Sequence, residues 1–475
     1  MRRIRIGVAT AAVFAVTLMT ACGSGDEPDD VSDAGDAGSS GDSGNGTDDG
    51  EAGGEPVTIS VSNLPPSTES ATREAFLARV EEFEEANPDI TVEPKEYEWD
   101  VTTFAAQLAG GTLPTTFEFP FTDGKALIER GQLADITAEV EDLPYAAEFN
   151  PSVLDVAQDE AGNIYAVPSA AYGMGLHYNR ALFEEAGLDP DQPPTSWDEV
   201  REYADAIAEE TGQAGFAQMT QNNTGGWILT TLTYALGGRM EEGVGEDVTA
   251  TLDNDGARRA LGLLQSMRWE DDSMGDNFLY DWGTINQAFA AGQVGMYIGG
   301  SDVYNSLVTE NGIDPDDYGL TVLPLEGDDA GVLGGGTIVG VRPDASEAER
   351  AAAVKWIDFY YMSKLTDEES AVADAEALAA NDAPIGTPTL PVFDEEQLAK
   401  SDAWVADYVN VPLEQMMPFK ENILSQPLVP EPPVKAQDLY AELDSVVQAV
   451  LTEEDADIDR LLTTANDNVS ALLSR

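Results

Sequence analysis

The chain has 475 residues, with 89 acidic side chains against 23 basic ones and a formal net charge of -66. A field of that sign repels nucleic acid and anionic ligands, which argues against DNA binding and against a phosphate-ester substrate. One cysteine and one histidine are too few for an internal disulfide or for a zinc site built from these residues.

The first 21 residues have the pattern of an export signal. Three arginines precede the apolar run Ile6 to Met19, which is too short to span a bilayer comfortably. Cys22 follows in the position of a lipoprotein processing site. We therefore expect a signal peptide over 1–21 and a lipid on Cys22 that anchors the protein to the outer face of the cell membrane. The alternative is ordinary cleavage, which would leave Cys22 without a structural role.

Residues 22–56 carry no apolar periodicity. From Gly23 to Pro56 the sequence contains 11 of the 89 acidic residues and neither lysine nor arginine. Such a composition predicts a disordered, self-repelling tether between the lipidated Cys22 and the folded part of the chain.

The folded part begins with strands that alternate with helices. Val57 to Val61 alternates as a strand does, and Phe76, Val80 and Phe83 form the apolar stripe of a helix. The stretch Phe117 to Phe121 is expected to be a loop of unusual aromatic density. The alternation predicts a mostly parallel sheet with helices on both faces.

A run of small and flexible residues before Tyr172 predicts the first passage of the chain from one lobe to another. The β-like run Met174 to Tyr178 then enters a new core, and a capping box from Ser196 to Glu199 begins the next helix. We expect the chain to return near Leu323 to Gly336 and to cross a third time near Asn381 to Pro391.

The predicted fold class is therefore α/β, with two lobes that are each a mostly parallel sheet flanked by helices. The first lobe is expected to comprise 57–171 and 331–380, and the second to comprise 172–330 and 390–475. Three connections make a hinge with a cleft between the lobes, and such a cleft is a binding site by geometry.

The candidate site follows from the physics of sugar recognition. Sugars present apolar faces and rings of hydroxyls, so they need flat aromatic side chains and fixed carboxylates or amides. Tyr172 carries the most weight because it lies at the crossing, whereas Phe119, Trp227 and Trp282 could equally be core residues. The predicted ligand-binding residues are Ser67, Thr68, Asp100, Phe119, Asp123, Tyr172, Asn222, Trp227, Trp282 and Asp302.

Four blocks in order resemble one protein family. That family is the extracellular solute-binding proteins of carbohydrate ABC transporters, the type that includes maltose-binding protein, with a type II periplasmic-binding-protein fold. The resemblance implies a monomeric receptor that captures a carbohydrate and delivers it to permease subunits served by a separate ATPase, without a cofactor. It supports most of the predicted site residues. The blocks are Phe104 to Phe119, Gly175 to Val200, Ala288 to Gly300 and Gly334 to Tyr361.

The sequence departs from the family pattern at Asp302. Many relatives carry an aromatic residue just after the glycine-rich turn of the second lobe, where this chain has Ser301 and Asp302. Either another aromatic residue such as Trp282, Trp404 or Tyr440 provides the stacking, or the ligand is more polar than a long oligosaccharide.

The residues available for catalysis favour a binding protein over an enzyme. The single histidine, His177, lies on an apparently buried strand. Ser-His-Asp or Cys-His catalysis would therefore depend on a histidine that is poorly placed for it. Neither a phosphate-binding loop nor a spaced calcium loop occurs, and no metal site is predicted. Two alternatives stay open: a receptor for a cationic solute such as a polyamine, which the acidic surface would suit, and a two-carboxylate glycoside hydrolase.

Overall fold

A computed structural model describes residues 56–68, 70–243 and 247–474 of the chain. The predicted signal peptide, the lipidation at Cys22 and the tether up to residue 55 lie outside the described residues. Within the ranges that are described, no helix combines the length and the apolar character that crossing a membrane requires.

The strands fall into two groups joined by two long crossing strands. The described strands are β1 (Val57–Val61), β2 (Ile90–Pro94), β3 (Thr116–Pro120), β4 (Ala166–Asn179), β5 (Ala214–Phe216), β6 (Glu241–Glu242), β7 (Thr249–Ala250), β8 (Val294–Gly300), β9 (Tyr318–Val322), β10 (Val332–Val341) and β11 (Leu428–Pro430).

Helices cover the faces of both groups of strands. The α-helices are α1 (Ser70–Ala86), α2 (Val101–Ala109), α3 (Phe121–Glu129), α4 (Thr137–Glu141), α5 (Pro151–Leu154), α6 (Arg180–Glu185), α7 (Trp197–Thr211), α8 (Thr224–Ala235), α9 (Asp255–Trp269), α10 (Trp282–Ala290), α11 (Val303–Thr309), α12 (Glu347–Ile357), α13 (Ser363–Thr366), α14 (Glu368–Ala380), α15 (Glu395–Val405), α16 (Met417–Lys420), α17 (Ala436–Thr452) and α18 (Ile458–Leu473).

The crossing strands β4 and β10 make the sheet continuous between the two lobes of this α/β fold. The strand order is β2-β1-β3-β10-β4-β8-β5, with β11 on β10 and β9 on β4. The N-terminal half of β4 pairs with β10, and its C-terminal half pairs with β8 and β9. Backbone hydrogen bonds therefore run through the connection from one lobe to the other.

The sheet is mixed, which corrects the expectation of mostly parallel lobes. Strands β1, β2 and β3 are parallel, as are β5 and β8. However, β10 runs antiparallel to β3 and β4, and β4 runs antiparallel to β8 and β9. The crossing strands cause the difference because each enters the opposite lobe against the direction of the strands already there.

The first core confirms the helix stripe expected from the sequence. Phe76, Val80 and Phe83 are buried on the inner face of α1. The indole of Trp356 on α12 meets Phe83 edge-on, with ring centroids 5.3 Å apart. Aromatic pairs in this geometry stabilise a core beyond the apolar area they bury.

The stretch Phe117 to Phe121 is a strand and the start of a helix, and the predicted loop is wrong there. Phe117 and Phe119 are both buried on β3, and their ring centroids lie 5.5 Å apart. On β3 the two rings lie on the same face of the sheet, and they alternate with Glu118 and Pro120, which are partly exposed. A stretch of five residues is short enough for its structure to be ambiguous from sequence alone.

Helices α8 and α17 of the second lobe pack at unusually short range. Gly226 on α8 faces the backbone of Tyr440 on α17, and a Cβ atom at Gly226 would lie 2.5 Å from Tyr440 Cα. The buried carboxylate of Asp444 on α17 accepts hydrogen bonds from the backbone N–H groups of Asn223 and Gly226, both at 2.8 Å. Asp444 thereby supplies the cap that α8 lacks from its own Asn223 side chain.

Candidate functional site

Two adjoining cavities form a cleft over the crossing strands. The larger one, about 1030 Å³, lies between first-lobe residues 96–123 and the segment Glu431 to Asp438. The smaller one, about 580 Å³, lies over Tyr172 and Thr337 of the crossing strands. Pro120 and Glu431 line both cavities, so the two spaces meet at these residues. We refer to the two cavities together as the cleft.

Tyr172 on β4 forms the floor of the cleft. It pairs across the sheet with Gly335, where an added Cβ atom would lie 2.5 Å from the Tyr172 hydroxyl oxygen. Only glycine leaves room for the ring at that position. Trp227 of α8 meets the Tyr172 ring edge-on, with centroids 6.5 Å apart. Burial raises the pKa of the Tyr172 hydroxyl, and the nearby carboxylates of Glu431 and Asp302 raise it further.

Glu431 is held rigidly at the junction of the two cavities. It follows β11, which pairs in parallel with the crossing strand β10, and it is preceded by Pro430 and followed by two further prolines. Its carboxylate accepts a hydrogen bond from the Tyr440 hydroxyl at 3.0 Å. Burial raises the pKa of Glu431, and contacts with Tyr440 and the Trp227 indole oppose that shift.

The first-lobe wall carries Trp99, Asp100 and Asp123. Asp100 is exposed, and Trp99 is half-buried against Phe104, with ring centroids 4.8 Å apart. Asp123 lies in the first turn of α3, where the helix dipole favours a carboxylate. Burial raises the pKa of Asp123, while hydrogen bonds from Thr122 and Trp99 act in the opposite direction.

The structure brings four of the ten predicted site residues to the cleft, namely Asp100, Asp123, Tyr172 and Asp302. Trp227 supports the floor from behind through its contact with Tyr172. Ser67 and Thr68 are exposed but line neither cavity.

Three other predicted site residues, two aromatic residues and one amide, do not line the cleft. Phe119 is a core residue with 1% of its surface exposed, so its ring does not face the cleft. The Asn222 amide donates to Asp281 at 2.9 Å, outside both cavities. Trp282 begins α10 directly after the cap residue Asp281 and is 36% exposed at the surface. The predicted contact of Phe119 is wrong because side chains alternate along β3: the Phe119 ring faces the core, whereas the next residue, Pro120, lines the cleft.

Sequence reasoning missed Trp99 and Glu431 as parts of this region. Tyr440, which the sequence offered only as an alternative stacking residue, instead donates its hydroxyl to Glu431. Trp99 directly precedes the predicted Asp100, and a second aromatic residue beside a candidate carboxylate could have indicated it. The run from Pro430 to Pro433 fixes the backbone on both sides of Glu431, which is a signal for a rigidly placed carboxylate.

His177 is a core residue, as the sequence indicated. It is fully buried, its Nδ1 lies 2.9 Å from the Tyr318 hydroxyl, and its ring stacks on Tyr297 at 5.0 Å. Burial lowers the pKa of His177 to about 4. The imidazole is therefore neutral near pH 7 and is kept away from the cleft.

Carboxylates outnumber amines along the cleft. Seven acidic side chains line the two cavities, against two lysines. One of these lysines, Lys435, donates its Nζ to the backbone oxygen of Leu472 at 2.5 Å. The space is therefore electrostatically negative and disfavours an anionic ligand. The acidic residues are Glu96, Glu98, Asp100, Asp123, Asp302, Glu431 and Asp438, and the second lysine is Lys364.

Glu241 lies behind the cleft wall, and its raised pKa predicts that the stability of the protein depends on pH. Its carboxylate accepts from the Val434 N–H at 3.1 Å, and burial raises its pKa from 4.5 to about 7. The folded protein thus binds this proton more tightly than the unfolded chain, so stability falls as pH rises from about 4.5 through 7. In urea denaturation, the free energy of unfolding of Glu241→Gln relative to that of the wild type should be about 1 to 2 kcal/mol higher at about pH 8 than at about pH 5. An equal difference at both pH values would contradict this expectation.

The fold and the cleft together define a class, the two-lobe proteins that bind a solute between their lobes. The model of bacterial extracellular solute-binding proteins matches residues 78–384, well over half of the chain. The chain belongs to this family of exported binding proteins.

Sequence relatives agree with this membership. A putative binding protein of Brucella abortus is 27% identical over 307 residues, which cover 60% of this chain and 69% of the relative. The sn-glycerol-3-phosphate-binding periplasmic protein UgpB of Escherichia coli is 27% identical over 154 residues, or 31% of this chain and 34% of UgpB.

Solved structures of binding proteins share the fold. The cyclic alpha-maltosyl-1,6-maltose binding protein from Arthrobacter globiformis has a TM-score of 0.68 at 22% identity, over 88% of this chain and 99% of that one. UgpB from Mycobacterium tuberculosis in complex with glycerophosphocholine has a TM-score of 0.64 at 20% identity, over 89% and 99%. At such identities the likeness establishes the architecture, and the ligand must be argued from the cleft.

Proposed function

We propose that this chain is the substrate-binding lipoprotein of an ABC importer. It captures a sugar or sugar-like polyol in the cleft and presents it to a membrane permease, while separate subunits hydrolyse ATP. The lipid on Cys22 holds it at the outer face of the membrane. The protein binds its ligand without chemical turnover.

The observation that carries the proposal is the lining of the cleft. Tyr172 and Trp99 offer ring surfaces to the apolar faces of a sugar, and Asp100, Asp123 and Asp302 offer acceptors to its hydroxyls. The volumes of about 580 and 1030 Å³ lie in and just above the usual range for small-molecule sites.

Family relatives named for glycerol phosphate bind an anion, and the cleft argues against that ligand here. Phosphate sites in proteins are built from arginine, lysine and backbone N–H groups. No arginine of the described residues lines either cavity, and carboxylates outnumber lysines there. A neutral or positively charged ligand is favoured on electrostatic grounds.

Closure of the lobes follows from where the contacts lie. Asp123 belongs to one wall and Asp302 to the other, so a ligand that reaches both binds better when the walls approach. That difference in affinity is sufficient to shift the population toward a closed form. The crossing strands β4 and β10 would carry the hinge motion.

A ligand screen tests the proposal. We expect thermal-shift and calorimetric screens against neutral sugars, polyols, amines and amino acids to identify stoichiometric binding. Tyr172→Ala should weaken binding of the sugar found by about tenfold or more, since 1.4 kcal/mol corresponds to a factor of ten. Tyr203→Ala, which removes a ring packed on Phe183 in the second lobe, is the matched control and should leave the affinity unchanged.

Turnover and amino-acid binding are the contradicting outcomes. Release of product from a bound glycoside would identify the protein as a two-carboxylate hydrolase, and stabilisation by amino acids alone would remove the carbohydrate assignment. Stabilisation by a polyamine alone would favour the cationic-solute receptor, which the acidic lining of the cleft also suits.

A further inference from the structure

Glu431 is a carboxylate without a countercharge at the centre of the cleft. No lysine or arginine nitrogen among the described residues lies within the 4.0 Å of an ion pair with it. Its partners are neutral donors, the Tyr440 hydroxyl at 3.0 Å and the nearby Trp227 indole. Asp271, by comparison, is paired with Arg201, and the buried Asp444, which also lacks a cation among the described residues, accepts from two backbone N–H groups. Glu431 differs from both because it lines the cleft, where a ligand can reach it.

Aromatic rings surround this carboxylate. Tyr172 and Trp227 stand edge-on to each other at 6.5 Å, and the electrostatic influence of Glu431 reaches Tyr172 and Tyr440. Aromatic faces attract positively charged nitrogen, and the attraction grows when the site excludes water. A half-buried carboxylate among rings is the arrangement that recognises an ammonium group.

The energetics favour a ligand that brings its own charge. A carboxylate that is withdrawn from water is costly unless it is paired with a charge, and the neutral groups of Tyr440 and Trp227 compensate for only part of its lost hydration. A hydroxyl group of a neutral sugar would add one more neutral hydrogen bond. A protonated nitrogen would instead make a charge-assisted bond, which is roughly twice as strong.

We propose that the ligand is a sugar or polyol bearing a positively charged nitrogen, and that Glu431 binds this nitrogen. The inference rests on the proposed function of the same cleft and narrows its ligand class. Tyr172 lies beside the charged group, and the carboxylates of both walls take the hydroxyls. Rigid placement by the neighbouring prolines keeps the acceptor in position before the ligand arrives.

Matched pairs of probes test the inference by calorimetry at a pH below the pKa of the amine. The pairs are glucosamine with glucose, 1-amino-1-deoxysorbitol with sorbitol, and chitosan disaccharide with its diacetylated form. We expect at least one amine to bind about tenfold or more tightly than its neutral partner. Glu431→Gln, which keeps the shape and can still accept from Tyr440, should abolish this preference. Glu431→Asp, which keeps the charge, should retain part of it.

The control variant is Glu209→Gln, which neutralises an exposed carboxylate of α7 and should leave the preference unchanged. Equal or tighter binding of the neutral partners, or a preference that survives in Glu431→Gln, would overturn the inference while leaving the proposed function intact. If neither the pairs nor the wider set of neutral sugars and polyols binds, the inference and the proposed function both fall.

Discussion

Replacing Gly226 by alanine is expected to cost about 3 kcal/mol or more of folding free energy. The new methyl group would lie 2.5 Å from Tyr440 Cα and closer still to the Tyr440 carbonyl oxygen. Because these are backbone atoms of α17, no side-chain rotation relieves the overlap and the two helices must separate. Urea denaturation followed by circular dichroism would measure the loss. The variant should also bind ligand more weakly, since Tyr440 positions Glu431.

A matched substitution separates this overlap from a general effect of adding a methyl group. Gly262 lies within α9, and a Cβ atom placed there meets no other atom within 4 Å. Gly262→Ala should therefore raise stability by about 0.5 to 1 kcal/mol, because alanine favours the helix over glycine. Equal effects of the two substitutions would contradict the close packing of α8 on α17.

Removal of the Asp444 carboxylate should be nearly as damaging. Asp444→Ala eliminates two charge-assisted hydrogen bonds and leaves the part-buried backbone N–H of Asn223 and the buried one of Gly226 without this acceptor. We expect a loss of about 3 kcal/mol, together with fraying of the first turn of α8. Because that turn leads to Trp227, the loss should extend to the floor of the cleft.

Two further variants define the Asp444 effect. Asp444→Asn keeps one acceptor oxygen and should cost less than the alanine variant. Asp438→Ala removes an exposed carboxylate from the first turn of the same helix and should change stability by less than about 0.5 kcal/mol. A cost for Asp438→Ala that matches Asp444→Ala would show that helix charge, rather than the cap on α8, governs the result. Both effects can be read from the same urea curves.

Local patterns predicted the parts of the fold that depend on local physics. The stripe of Phe76, Val80 and Phe83 is buried because helix periodicity by itself determines which face meets the core. Tyr172 reaches the cleft because small residues before it mark the crossing, and glycines on the opposite strand leave room for its ring. In each case the deciding contacts lie within one element or one pair of strands.

Features set by distant pairing could not be predicted in this way. Glu431 reaches the cleft because β11 pairs with β10, and nothing in the sequence around residue 428 specifies that partner. Phe119 was expected at the cleft because an apolar run after a strand can be a strand or a loop, and tertiary burial decides between them. Trp282 illustrates the same difficulty, since its exposure depends on how α10 is oriented.

The pairing of β11 with the crossing strand places Glu431 next to the connection between the lobes. Gly334 of β10 is paired with Pro430 on one side and with Gly173 of β4 on the other. In the proposed closing motion, this carboxylate would lie next to the strands about which the lobes turn, where rotation displaces atoms least. A solute bound to Glu431 would keep this one contact while the walls of the cleft approach each other. The first contact made on binding could therefore persist in the closed form.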